Sequence, residues 1–292
     1  MKYTKQPLTY EEQLENLISR GLIVKDKSFA ISVLNRVSYY RLSAYCIPFQ
    51  SPKDHFKKNT TFQNIYDLYR FDHDLRMIVF DALERIEIAV RTSMTYYLAH
   101  KFSAFGYLEK GNFHNSFNHE NWLAVIEEEI RRSREIFIEH YKDKYAESKH
   151  FPIWMASEVF SFGRLSQLFS GLHYKDQKEI AKIYNVPRDV FRSWMHTLVY
   201  SRNLCAHHSR LWNRILAIKP TFPQKSSQWN SLFPIDNSKS IALFTIIHFL
   251  LSEIGSTFSC KEKLVQLLEQ SSFVDPKAMG FPDNWQEHKI WQ

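Results

Sequence analysis

Residues 62–101 read FQNIYDLYRFDHDLRMIVFDALERIEIAVRTSMTYYLAHK and contain neither Gly nor Pro, the two residues that most often interrupt a helix. Apolar side chains recur along this stretch at the spacing of one helix face. They are Ile65, Leu68, Leu75, Ile78, Val79, Ala82, Ile86, Ala89 and Val90. The pattern predicts one very long helix, or two helices joined without a strong break.

The sequence on both sides of this stretch is also typical of helices. Thr9 and Glu12 have the spacing of a capping box, and Asp26 can cap a second helix. Glycine is rare, with 7 residues in 292, which disfavours a turn-rich sheet protein. Further helices are predicted over residues 119–145, 152–172, 175–184, 240–256 and 261–270, and another opens at Pro187. No repeat and no strand pattern is present, so we predict an all-α fold.

A polar loop divides the predicted helices into two groups. Pro48, Pro52 and the run 53–60 interrupt the helical pattern. We therefore predict a small N-terminal helical unit over residues 1–58. Residues 59–292 would form the helical core, ending in an irregular tail that starts at Pro276.

Composition and charge indicate an ordinary globular chain with a bias toward polyanions. The net charge is +7 and the pI is near 9.1. Three scattered cysteines fit neither a disulfide framework nor a zinc site, and a reducing cytosol suits them. The N-terminus has no apolar signal core, and residues 241–251 are apolar but too short to span a bilayer. We expect a cytoplasmic protein without membrane contact, and a buried helix at 241–251.

Residues 201–213, SRNLCAHHSRLWN, concentrate polar chemistry that a packed helix does not need. Histidine exchanges protons near neutral pH, and arginine presents a planar fork of donors that matches phosphate oxygens. On an ideal helix Asn203 and His207 lie about 40° apart, whereas Arg202 and His207 lie about 140° apart. Either the helix is distorted, or Arg202 reaches round, or the site is built between two chains. Because the chain has one such motif, we favour a homodimer with two copies facing across a cleft.

Arg202, Asn203 and His207 resemble the Arg-Asn-x-x-x-His signature of the HEPN superfamily. The longer stretch is similar to the abortive-infection (AbiD/AbiF-like) Abi family of that superfamily. Similar stretches occur at residues 20–22, 39–45, 69–76, 84–91, 152–154, 161–163 and 279–285. The resemblance implies a HEPN-like helical bundle, a role in phage defence or growth arrest, and ribonuclease activity. It also implies a neutralising partner, either a structured RNA or a protein antitoxin.

RNA cleavage without a metal gives each motif residue a role. The 2′-hydroxyl of RNA supplies the nucleophile, and His207 would shuttle the proton. Arg202 would stabilise the charge of the transition state, and Asn203 would orient His207 or bind phosphate. The expected product carries a 2′,3′-cyclic phosphate, and DNA should be spared. His208 is a rival for the proton shuttle.

Other residues are candidates for supporting roles. HEPN folds pair the motif helix with another polar helix, so the resemblance implies that Glu84, Glu87 and Arg91 line the site. Without the resemblance, Glu87 and Arg91 are an ordinary surface pair at i,i+4 spacing. Candidate RNA-binding residues are Arg210, Tyr40 and Arg41, although packing explains the last two equally well.

Three alternatives remain open at the level of sequence. The first is a non-catalytic HEPN module that binds RNA or a partner protein. A metallohydrolase would use Cys205, His207 and His208, but neighbours so close on a helix rarely point at one ion, so we predict no metal or cofactor. Arg192 and His196 share a helix face just before the motif and are either supporting or plain surface residues.

Overall fold

The computed structural model describes residues 6–223, 229 and 235–292. These residues form twelve α-helices and no β-strand, which confirms the all-α prediction. The helices are α1 (Tyr10–Ser19), α2 (Lys27–Val37), α3 (Tyr39–Cys46), α4 (Phe62–Phe102), α5 (His119–Arg132), α6 (Ile136–Lys144), α7 (Ile153–Ala156), α8 (Phe162–Gly171), α9 (Tyr174–Ile183), α10 (Arg188–Ala206), α11 (Ser240–Glu253) and α12 (Cys260–Glu269).

The chain divides into two compact units. The first comprises Met1–Arg76 with Leu267–Val274, and the second comprises Met77–Gln266 with Asp275–Gln292. The first unit is therefore larger than the predicted residues 1–58. It includes the start of α4 because the Tyr45 hydroxyl of α3 donates a hydrogen bond to the buried Asp72 carboxylate (2.6 Å), and Arg76 forms an ion pair with the same carboxylate.

The first helix and the long helix have the form that the sequence predicts. Thr9 and Glu12 make both bonds of the capping box, with lengths of 3.2 and 2.7 Å. Residues 62–102 form a single uninterrupted helix of 41 residues, so the alternative of two joined helices does not apply. Most of its apolar face is buried, including Ile65, Val79 and Val90, whereas Ile78 and Ala89 are half-buried.

Two of the predicted helices are each broken in two. The stretch 119–145 stops at Ser133, whose extended backbone (ψ 138°) separates α5 from α6. The stretch 152–172 stops at Phe160, which is also extended, and Ser161 then caps α8. Gly163 lies inside α8 and does not mark the break. The sequence shows neither break because no Gly or Pro marks them.

The apolar run 241–251 forms a buried helix, α11, in the second unit, as predicted. The tail beyond Pro276 forms short 3₁₀ turns that pack on this unit. In it, the Trp291 ring stacks on His248 at 4.9 Å. Within the described residues, no helix combines the length and the apolar composition needed to cross a bilayer.

Candidate active site

Helix α10 carries the motif on its last turn. The helix starts after Pro187 and buries an apolar face against α8, α9 and α11. That face includes Phe191, Trp194 and Leu198, which are fully buried. Asn203, His207 and His208 are exposed, and the Arg202 side chain is 26% exposed. The packing of α10 therefore leaves the polar part of the motif at the surface.

The end of α10 is closed by a Schellman turn. Its backbone hydrogen bonds run from His207 to Asn203 (3.0 Å), from His208 to Cys205 (3.0 Å) and from Ser209 to Leu204 (2.9 Å). His207 is thus the residue that follows the helix, and its imidazole is exposed. The amide of His207 still makes the helical bond to Asn203, so Arg202 and His207 remain on different sides of α10, about 140° apart by ideal-helix geometry.

His208 occupies the left-handed position of this turn, with φ at 55°. Glycine is the usual residue there, since a Cβ atom in this conformation costs about 1–2 kcal/mol. We expect His208→Gly to raise the free energy of unfolding by about 0.5–1 kcal/mol, once the extra freedom of glycine in the unfolded chain is included. Chemical denaturation measures this, with His208→Ala as the control that keeps the strain. An unchanged or lower stability would show that the His208 side chain makes contacts worth more than the strain.

Glu87 of α4 brings the second helix to the motif. One carboxylate oxygen lies 3.6 Å from Arg202 Nε, and the other accepts a hydrogen bond from Arg91 Nη2 at 2.8 Å. Arg202 Nη1 also donates to the side-chain oxygen of Asn203 at 3.3 Å. The Arg202 guanidinium is therefore held between a carboxylate and an amide.

Arg91 anchors this arrangement to the core. It is buried and donates to the main-chain carbonyl of Phe160 (2.9 Å) and to that of Ser157. These carbonyls lie at the break between α7 and α8, so Arg91 satisfies groups that a continuous helix would have paired internally. The pair of Arg91 and Glu87 has the predicted i,i+4 spacing, but the side chains are only 11% and 16% exposed, so it is not a surface pair.

Burial raises the pKa of Glu87 above its usual value, and the charges of Arg202 and Arg91 act against that rise. Both guanidiniums accordingly favour the charged form of Glu87. Removal of either arginine should push its pKa higher still, because desolvation would then be less opposed.

The chain after α10 folds back on that helix. Leu211 and Trp212 are buried. Arg214 donates to the main-chain carbonyl of Arg210 and to the Tyr200 hydroxyl of α10, both at 3.2 Å. These contacts fix the turn that carries His207 and His208.

The remaining predicted residues lie elsewhere. Glu84 is exposed on α4, one turn before Glu87. Arg210 is half-buried in the turn after α10. Tyr40, which is 89% exposed, and Arg41 belong to the first unit. The structure thus brings Glu87 to Arg202, while the roles of the others stay predictions.

A polar cleft beside α10 was not foreseen as a site. It has a volume of about 840 Å³ and is lined by Phe117, His114, Arg192 and His196 among others. The sequence offered one signal, namely that Arg192, His196 and Asn203 lie within about 40° of one another on an ideal helix. Phe117 gave no signal because its place beside α10 depends on the tertiary packing.

Across residues 6–223, 229 and 235–292, no three His, Cys, Asp or Glu residues are grouped so that they could hold a metal ion.

The sequence pattern of a family described as Abi-like protein matches residues 32–213, more than half of the chain. The chain belongs to the Abi-like protein family. The match ends at Asn213, so it includes α4, α10 and the whole motif of this Abi-like protein. The family links the protein to abortive infection, a form of phage defence. No curated protein and no solved structure matches the chain.

Proposed function

We propose that this Abi-like protein is a metal-independent endoribonuclease of the HEPN type, which acts in the cytoplasm during phage defence. One observation carries the proposal. Arg202 is held at the surface by Glu87 and Asn203, and the exposed His207 follows five residues later at the end of α10. A fixed guanidinium and an exposed imidazole are the two kinds of group that metal-free phosphodiester cleavage needs.

The reaction would use RNA as its own nucleophile. A base takes the proton from the 2′-hydroxyl, whose oxygen attacks the adjacent phosphorus. The bond from phosphorus to the 5′-oxygen breaks, and an acid protonates that leaving oxygen. The products are a 2′,3′-cyclic phosphate and a free 5′-hydroxyl. His207 performs proton transfer, and Arg202 stabilises the negative charge on the phosphoryl oxygens.

A homodimer suits this chemistry because the reaction needs both a base and an acid. Each chain contributes one motif, so two chains related by a two-fold axis supply two imidazoles to one cleft. Sedimentation of the purified protein at twice 34.9 kDa is expected, and sedimentation at the mass of one chain would contradict this part of the proposal.

A neutralising partner would keep such an enzyme harmless to its host. The net charge of +7 suits a structured RNA, and an acidic protein antitoxin would satisfy the same charge. Purification from the host followed by nuclease treatment distinguishes the two, because only an RNA partner is lost.

The proposed cleavage reaction is tested with an RNA that lacks the 2′-hydroxyl at the cleavage site. We expect the protein to cut single-stranded RNA in excess chelator, leaving 2′,3′-cyclic phosphate ends. A matched oligonucleotide with 2′-deoxyribose at the cleavage site should resist cutting there by at least about 10³-fold, because the nucleophile is missing. Mass spectrometry identifies the ends. Cleavage that chelator abolishes would instead indicate a metallohydrolase.

The second candidate is a non-catalytic module that binds RNA or a protein. The contact between Arg202 and Glu87 favours it, because the carboxylate offsets the charge that a transition state would need. Under this alternative the purified protein binds its partner and leaves RNA intact in every buffer, with or without metal ions.

A further inference from the structure

The polar cleft beside α10 has one aromatic wall. Phe117 lines it, is only partly exposed, and packs its ring on the Phe113 ring at 5.3 Å with an angle of 23° between the planes. Its place also depends on Gly171, because a Cβ atom there would lie 2.7 Å from the ring. Phe117 is therefore a fixed platform at the edge of an open space large enough for a nucleotide.

The imidazole of His114 forms a second fixed wall. Its Nε2 lies 2.9 Å from the main-chain carbonyl of Ser170, and its Nδ1 lies 3.0 Å from the Ser116 hydroxyl. A carbonyl oxygen only accepts hydrogen bonds, so Nε2 carries a hydrogen and the ring is oriented. Nearby, Gln167 presents an amide whose oxygen accepts from Arg164 at 2.7 Å. Flat rings and oriented amides are the groups that proteins use to bind unpaired bases.

The helix side of the cleft carries one charge of each sign, Arg192 and Asp189, whereas Arg188 does not line the cleft. Asp189 lies 2.6 Å from the guanidinium of Arg188 and 3.7 Å from that of Arg192. One carboxylate thus serves two arginines, and the closer one is Arg188. Arg192 is 52% exposed at the cleft, where a phosphate can approach it.

The cleft and the motif share one face of α10. Arg192 and His196 line the cleft, and Asn203 lies within about 40° of both around the helix axis. Seven residues separate His196 from Asn203, which corresponds to about 10 Å along the helix. That is the span of a few nucleotides of single strand.

We propose that this cleft is a nucleotide-binding subsite for the RNA strand that reaches the motif. A base stacks on Phe117 beside His114, and a backbone phosphate of the same strand binds Arg192. The strand then follows α10 to Asn203 and His207. This rests on the proposed function, since it places a second part of the same substrate, and it assigns the choice of RNA sequence to the cleft rather than to the motif.

Direct binding tests the subsite without requiring cleavage. The parent protein is His207→Ala, so that the RNA stays intact, and the probe is a fluorescein-labelled single-stranded RNA followed by anisotropy. We expect Arg192→Gln and Phe117→Leu each to raise Kd about tenfold. Arg192→Gln should also reduce the slope of log K against log salt by about 0.7, because one phosphate contact is lost. Phe117→Leu should leave that slope unchanged, because stacking releases no counterion.

Matched control variants show whether the loss of RNA binding is specific to the cleft. Arg134→Gln and Phe105→Leu replace the same residue types outside the cleft and should keep the parent Kd. A parent Kd in both Arg192→Gln and Phe117→Leu overturns the subsite, as does a parent that binds no single-stranded RNA. Arg192 is exposed, so its variant remains informative even if Phe117→Leu fails to fold. If Arg192→Gln and Phe117→Leu weaken RNA binding but the wild-type protein never cuts RNA, the subsite is retained and the nuclease proposal is rejected.

Discussion

His207→Ala is expected to lower the rate of RNA cleavage by about 10³-fold, the usual worth of a positioned proton-transfer group. The loss should appear in kcat with little change in KM, because the imidazole acts on protons that move only in the transition state. His208→Ala identifies the shuttle, since it should retain most of the activity if His207 performs proton transfer. Single-turnover assays in chelator measure both.

Arg202→Ala should cause a similar loss, of about 10²–10³-fold, by removing the charge that faces the developing phosphorane. Unlike the histidine variant, it should also raise KM, because the guanidinium binds the ground-state phosphate as well. The controls are Arg134→Ala and His140→Ala, which replace exposed residues of the same types outside the motif. If the motif variants cut RNA as fast as these controls, the motif is not the catalytic centre.

Arg91→Met is expected to reduce the free energy of unfolding by about 3 kcal/mol, the cost of removing one partner from a buried ion pair. Arg91 donates to Phe160 and Ser157 carbonyls and to Glu87, and methionine satisfies none of them. The Glu87 carboxylate then loses one of the two charges that act against its burial. Thermal unfolding should show a fall in Tm of several degrees.

Two comparisons separate this effect from a generic loss of an arginine. Arg131→Met removes the exposed partner of Glu128, and solvent screening makes the contribution of such a surface pair to stability small. In a Glu87→Gln background the cost of Arg91→Met should shrink, because no charge is left unpaired. Equal losses for Arg91→Met and Arg131→Met would show that the contacts of Arg91 contribute little.

Those parts of the fold that depend on residues close together in the sequence could be predicted from the sequence alone. The capping box at Thr9, the uninterrupted helix from Phe62 and the burial of 241–251 follow from short-range preferences and apolar spacing. The motif at 201–213 and the family resemblance were visible for the same reason, since both are patterns in consecutive residues. The match over 32–213 confirms the family.

The breaks at Ser133 and Phe160 and the meeting of Glu87 with Arg202 depend on contacts between residues far apart in the chain. Arg91 stabilises the second break, because its guanidinium donates to the Phe160 and Ser157 carbonyls from a distant part of the chain. The candidate site likewise depends on contacts between residues far apart in the chain. The sequence determined which groups α10 carries, but only the packing of α4 and α8 around it determined that Arg202 is held by a carboxylate and that a cleft lies beside His196. The sequence of one helix determines which side chains it carries. The distance between side chains on two different helices depends on how those helices pack.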